Sequence, residues 1–253
     1  MRVPVIAGNL KMNLTVTESR ALIFAISQGI REFKEITRII FPPFTSLLPV
    51  ASLLMGTDIA LGAQNMHWEE KGAFTGEISP QMVVEFCKYV LIGHSERRAY
   101  FNETDDEINK KMHAALRNDL TPIICIGETL SEKETGLTGT ILKSQIIHAY
   151  QDLEPNHAVN SIIAYEPVWA IGTGKASSGK DASNTIENII RPAVSELFGD
   201  GFSKKIRVLY GGSVTADNAQ EILNFDEIDG ALVGGASLSA DQFIKIVKVC
   251  SQV

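Results

Sequence analysis

Short apolar, β-branched runs recur eight times along the chain, near residues 3–9, 37–41, 59–64, 89–93, 121–126, 161–166, 205–210 and 229–234. None alternates cleanly with polar residues, which is the pattern of strands buried on both faces of a parallel sheet. The segments between them carry helix signatures. Thr104 with Glu107, Ser131 with Glu134 and Ser239 with Gln242 fit capping boxes, and Ile108, Met112, Ala115 and Leu116 have the spacing of an apolar helix face. Eight strands alternating with helices predict an α/β array, either a (β/α)8 barrel or an open doubly wound sheet. A dinucleotide-binding sheet calls for Gly-x-Gly-x-x-Gly after its first strand, and here Gly8-Asn9-Leu10-Lys11 follows. No linker or low-complexity tract divides the chain, so the expectation is one barrel domain over residues 1–253.

Composition narrows the class. The 253 residues are 45% apolar and 21% charged, ordinary for a globular protein large enough to need no staples. Cys87, Cys125 and Cys250 are odd in number and far apart, which reads as reduced thiols. The net charge is −7, and no basic run exceeds the pairs Arg97-Arg98, Lys110-Lys111 and Lys204-Lys205. A nucleic-acid partner is therefore not expected. The apolar stretches are too short to span a bilayer, and the N-terminus enters a strand without room for a signal peptide. The expectation is a cytoplasmic protein.

In a barrel the site is built where strands end and βα loops begin. Strand 1 ends in Asn9 and Lys11, strand 4 in His94, Ser95 and Glu96, strand 5 in Cys125 and Glu128, and strand 6 in Glu166. Strand 7 ends in Gly211-Gly212-Ser213, and strand 8 in Gly234-Gly235 with Ser237. Glycines at these last two ends let backbone N–H groups approach an anion, and phosphate sites in barrels often form there. As tight turns leaving buried strands, the same glycines need no ligand. Glu166 emerges from an apolar strand and is the candidate base; a structural ion pair is the plainer alternative. His94 opens a helix whose dipole disfavours the imidazolium, which suits a neutral donor. Lys11 can neutralise a phosphate or an oxyanion. Glu96 is expected to pair with Lys11 or Arg98 and to orient them. Cys125 reads as a packed strand residue, and His67, His113, His148 and His157 as loop or helix residues. No cluster has metal-ligand spacing, so neither metal nor cofactor is expected. Residues 167–177, with Gly172-Thr173-Gly174 at the tip, read as a lid or a plain surface loop.

Five motifs in order resemble the triosephosphate isomerase family: Gly8-Asn9-Leu10-Lys11-Met12-Asn13, Gly93-His94-Ser95-Glu96-Arg97-Arg98, Tyr165-Glu166-Pro167-Val168-Trp169 with its continuation to Lys175, Tyr210-Gly211-Gly212-Ser213-Val214, and Val233-Gly234-Gly235-Ala236-Ser237. The resemblance implies a TIM barrel that interconverts dihydroxyacetone phosphate and glyceraldehyde 3-phosphate without a cofactor. It makes Glu166 the base, His94 the neutral electrophile, and Asn9 and Lys11 the stabilisers of an enediolate. Backbone N–H groups near Gly172, Ser213, Gly234 and Gly235 would hold the phosphate, and Tyr210 with Ser213 would latch a closed lid. Loop 64–79, with Met66, Trp68, Phe74 and a tip near Thr75, would be the arm of a homodimer; read from the residues alone, it could equally cover its own barrel end. The chain departs from the family at Leu10, where Trp is usual, and at Ser177-Ser178-Gly179-Lys180, which lacks a common Pro. A Schiff-base aldolase wants a lysine where strand 6 ends in Glu166, and a metal-dependent aldolase wants clustered histidines. A non-catalytic phosphate-binding barrel is the remaining alternative.

Overall fold

The computed structural model describes residues 2–171 and 177–253. Eight parallel strands close into a barrel in sequence order: β1 (Val5–Asn9), β2 (Thr37–Phe41), β3 (Ala60–Ala63), β4 (Tyr89–Ile92), β5 (Thr121–Ile126), β6 (Ile162–Tyr165), β7 (Arg207–Tyr210) and β8 (Gly230–Val233). The register Val5↔Gly230 joins the last strand to the first. Each strand falls within the run expected from sequence, trimmed by up to two residues at an end.

The continuous apolar runs have a simple cause. Successive side chains point to opposite faces, so each strand feeds two cores. Val5, Ala7, Ile39, Phe41, Leu91, Ile123, Cys125, Ile162, Ala164, Leu209 and Leu232 belong to a core inside the barrel. Ile6, Ile40, Val90, Ile124, Ile163 and Val208 belong to the one under the helices. Gly62 makes the inner core possible, because a Cβ there would lie 2.1 Å from the Phe41 ring.

The same period carries on past the strand ends. After Val5 and Ala7 the next inward position is Asn9, and after Ile162 and Ala164 it is Glu166. After Leu209 it is Gly211, and after Leu232 it is Gly234. Two polar side chains and two glycines thus crown the apolar interior, and the glycines leave the space above it open.

The helix caps follow the sequence in part. Thr104 and Glu107 form the expected box, and Ile108, Met112 and Ala115 are buried, with Leu116 half-buried. Ser131 with Glu134 is a correction. The box is Thr129 with Glu132, and the Ser131 carbonyl inside that helix accepts from the Thr135 hydroxyl. Ser239 caps its helix, but the Gln242 amide oxygen accepts from Ala216 N–H and does not return to the cap. That bond ties the loop after β7 to the last helix.

Candidate active site

A cavity of about 340 Å³ opens at the C-terminal mouth of the barrel, lined by Asn9, Lys11, His94 and Glu166 and by the turns Gly211–Ser213 and Gly234–Gly235. Polar groups far apart in sequence therefore share one space.

Glu166 is almost completely buried. Its Oε2 accepts from Ser95 N–H at 2.9 Å, and Oε1 lies 3.1 Å from His94 Nε2. Ser95 opens a helix (Ser95–Phe101), so its N–H is a free end-of-helix donor. His94 is the N-cap of that helix, and its Nδ1 accepts from Glu96 N–H at 3.3 Å. With Nδ1 accepting, the ring nitrogen left to donate is Nε2, which faces Glu166 at the cavity.

Lys11 has a left-handed backbone, φ 52°, which a non-glycine residue holds only under constraint. Two contacts impose it. Lys11 N–H donates to Asn9 Oδ1 at 2.9 Å, and Gln64 Nε2 donates to the Lys11 carbonyl at 2.9 Å while also reaching the Phe41 carbonyl. The ammonium pairs with Glu96 at 2.5 Å, one of the two partners expected for Glu96. The other, Arg98, is bound to Asp105 and to the Gly93 carbonyl. Lys11 passes over the strand-8 turn, where a Cβ on Gly234 would lie 3.4 Å from its Cε.

The glycine turn after β7 has a steric reason. A Cβ on Gly211 would meet Glu166 Cγ at 2.7 Å, and one on Gly212 would strike the Tyr210 hydroxyl. The pair after β7 thus makes room for the carboxylate and for Tyr210, beyond letting an anion approach. A Cβ on Gly235 would meet nothing within 4 Å, and Gly235 opens a short 3-10 helix (Gly235–Leu238) whose N-terminus borders the cavity. The buried Ser237 hydroxyl bonds the Asn9 and Gly234 carbonyls, locking that turn to β1.

Tyr210 lies behind the cavity wall and donates to the Ser177 carbonyl at 3.4 Å, the first described residue after 172–176. Ser213 lines the cavity, and its carbonyl accepts from Asn218. Gly172 and the tip of the expected lid lie outside the described residues. The start of that segment is anchored. Buried Glu128 accepts from Trp169 Nε1 at 2.9 Å and from the Tyr165 hydroxyl at 3.2 Å, and its carbonyl accepts from Val168 N–H. Lys133 Nζ stands 3.4 Å over the Trp169 ring.

Cys125 sits fully buried beneath Glu166. Burial first, and the Glu166 charge second, push its thiol well above the usual range. It is a packed strand residue. All three cysteines are free and buried. Among the described residues no group of three or more His, Cys, Asp or Glu side chains could hold a metal ion, and no helix is long and apolar enough to cross a membrane.

Sequence reasoning did not single out Gln64 or the Ser95 N–H as site elements, and it noted Glu128 only as a strand-end residue. Ser95 was legible in principle, since the residue after an N-cap always has a free N–H. Gln64 was not, because its partners are carbonyls 53 and 23 positions away.

The family model for triosephosphate isomerase matches residues 4–250. The chain is 50% identical over 248 residues to a triosephosphate isomerase of Alkaliphilus metalliredigens, covering 98% of this chain and 99% of that one. It is 48% identical over 253 residues to that of Dehalococcoides mccartyi, covering 100% and 99%. The crystal structure of triosephosphate isomerase from Bartonella henselae superposes with a TM-score of 0.88 at 40% identity, covering 98% of each chain. With a matching fold, matching motifs and relatives of this similarity across its length, the chain belongs to the triosephosphate isomerase family.

Proposed function

We propose that the barrel mouth interconverts dihydroxyacetone phosphate and D-glyceraldehyde 3-phosphate through an enediolate, by acid–base chemistry alone. The observation that carries the reading is the convergence of a buried carboxylate, an imidazole and an ammonium on one cavity, beside two glycine turns. The phosphate dianion sits against Ser213, Gly234 and Gly235, where N–H groups and a helix N-terminus favour negative charge, with the backbone N–H of Gly172 assigned as a further donor. The carbonyl then lies among His94 Nε2–H, Asn9 and Lys11. Glu166 turns from Ser95 N–H to the substrate and takes a proton from the carbon beside the carbonyl. The electron pair moves onto the carbonyl oxygen, and Lys11 and Asn9 stabilise the resulting enediolate. His94 gives its Nε2 proton to that oxygen and recovers one from the neighbouring hydroxyl. Glu166 returns its proton to the other carbon. Hydrogen has moved between adjacent carbons with no net redox change, so the steps require neither metal nor cofactor. Glu96 orients Lys11, and Tyr210 with Ser213 holds the trailing end of the lid.

The same reading makes the protein a homodimeric cytoplasmic enzyme of glycolysis and gluconeogenesis. Loop 64–79 is the dimer arm. Residues 69–77 are solvent-exposed, while the His67 ring stacks on Trp68 and meets the Phe74 ring at a tilt. Met12, Tyr100 and Phe101 are also exposed, at 96%, 77% and 66%. Apolar side chains this open on one molecule suit a surface that a second copy covers. Light scattering at micromolar concentration tests this, and a fully active monomer would overturn it.

The function itself is tested by purified protein in an assay coupled to NADH oxidation, with and without EDTA, and after borohydride treatment with substrate. Isomerisation should survive both treatments. Loss of activity in either one would favour an aldolase-type reaction.

A further inference from the structure

The β4–β5 pairing stops at Ile92 and Ile124, and the β5–β6 pairing at Ile126 and Tyr165. Beyond these points the chain after β5 still runs beside the start of the lid segment. The Ile126 carbonyl accepts from Glu166 N–H at 2.7 Å, and the Glu128 carbonyl from Val168 N–H at 3.1 Å. Gly127 lies between them. Successive peptides of an extended chain point to opposite sides, so Gly127 turns its N–H and C=O away from β6, past the end of β4.

Gln145 fills that gap. It stands on the helix Thr138–Ala149, next to the buried Leu142 and Ile146. Its Oε1 accepts from Gly127 N–H at 2.8 Å, and its Nε2 donates to the Gly127 carbonyl at 3.1 Å. A side-chain amide has the donor and acceptor of a peptide, so the pair of bonds replaces the missing strand at this one residue. Gly127 in turn is pressed on the base: a Cβ there would lie 1.7 Å from the Glu166 carbonyl oxygen and 3.4 Å from its Cα. No side chain fits between the two backbones, and a shift of Gly127 must be met by a shift of Glu166.

We propose that Gln145 is a positioning residue for the base: its amide brackets Gly127 and thereby fixes the backbone from which the Glu166 carboxylate reaches the substrate. Gln145 is not among the residues lining the cavity. The proposal rests on Glu166 being the base. Displacing such a group by about 1 Å costs on the order of a hundredfold in rate. The phosphate is held by Ser213, Gly234 and Gly235, and the atoms nearest a Cβ on Gly127 all belong to Glu166, so that grip does not run through Gly127.

The test is Gln145→Met, which keeps the side chain's length and a strong helix former but loses both bonds. Circular dichroism checks the fold, and kcat, KM and the inhibition constant of inorganic phosphate are measured on the purified enzyme. The expected result is a kcat lowered tenfold to a hundredfold, with KM and phosphate inhibition within about twofold of the parent. A folded Gln145→Met with kcat within twofold overturns the proposal, as does an equal loss of phosphate binding. Gln145→Glu, which keeps only the acceptor for Gly127 N–H, carries the same test if the Met variant does not fold. If neither folds, Gln145 is simply structural and the proposal is overturned. Glu166→Gln run alongside separates the two claims. If Glu166→Gln is inactive while Gln145→Met is unaffected, only the positioning role falls. If Glu166→Gln is active, the base assignment falls with it.

Discussion

Replacing Gly211 by alanine should damage catalysis through a single methyl group. The glycine follows β7 directly, and the added Cβ would stand 2.7 Å from Glu166 Cγ and 3.2 Å from the Tyr165 carbonyl oxygen. Ordinary contact begins near 3.4 Å, so the carboxylate arm must give about 0.7 Å. The Tyr165 carbonyl cannot yield instead, because it accepts from Gly211 N–H at 2.7 Å as part of the barrel ladder. Glu166 has little slack, since Ser95 N–H and His94 hold its two oxygens at 2.9 and 3.1 Å. A displacement of this size lies just below the about 1 Å that costs on the order of a hundredfold in rate, so kcat should fall by roughly tenfold to a hundredfold. Gly211 lacks a left-handed φ, so alanine adds no backbone strain and the melting temperature should move little. The assay is steady-state isomerisation with thermal unfolding run in parallel. A folded Gly211→Ala variant with kcat within twofold of the parent would refute the claim that this glycine exists to seat the base.

Lys11→Met should weaken inhibition by inorganic phosphate tenfold or more, because it removes the cation that passes beside the Gly234 turn in a protein of net charge −7. The Lys11–Glu96 pair is partly exposed, so stability should hardly change, and an unaltered inhibition constant would move Lys11 out of the site. Alkali should destabilise the fold through its thiols. Burial pushes Cys87 and Cys250 from the ordinary 9.0 up to about 12, and it moves Cys125 in the same direction. Unfolded thiols lose their protons near pH 9 while the folded ones keep them. The stabilisation is therefore complete below pH 9 and is lost as pH rises from 9 to 12, at about 1.4 kcal/mol per pH unit for each thiol. Thermal unfolding at pH 8, 9.5 and 10.5 checks this: the melting temperature should fall, less steeply in Cys87→Ala, and equal slopes would discount Cys87.

The barrel was legible because burial on both strand faces leaves a mark that few other arrangements share. The site was legible to the extent that it hangs on strand ends. Asn9 and Glu166 continue the inward period of β1 and β6, so locating the strands located them. What escaped depends on contacts between distant segments. Ser131–Glu134 and Thr129–Glu132 both satisfy the capping pattern within four residues of each other, and only the end of β5 decides between them. Gln64 and Gln145 bond to backbone carbonyls of other elements, and nothing in the type or spacing of a glutamine announces that. The Gly211-Gly212 pair was readable as an anion turn, but the need to clear Glu166 and Tyr210 appears only once β6 and β7 lie side by side.

The central claim is that Glu166 moves a carbon-bound proton. Isomerisation in deuterium oxide, followed for both product formation and deuterium on the carbon beside the carbonyl, tests it most directly. The parent enzyme should place solvent deuterium on that carbon as it turns over. In Glu166→Gln both rates should fall together by about 10² to 10⁴, the usual contribution of a general base. A folded Glu166→Gln protein that still exchanges that hydrogen, or isomerises, at more than half the parent rate would contradict the account.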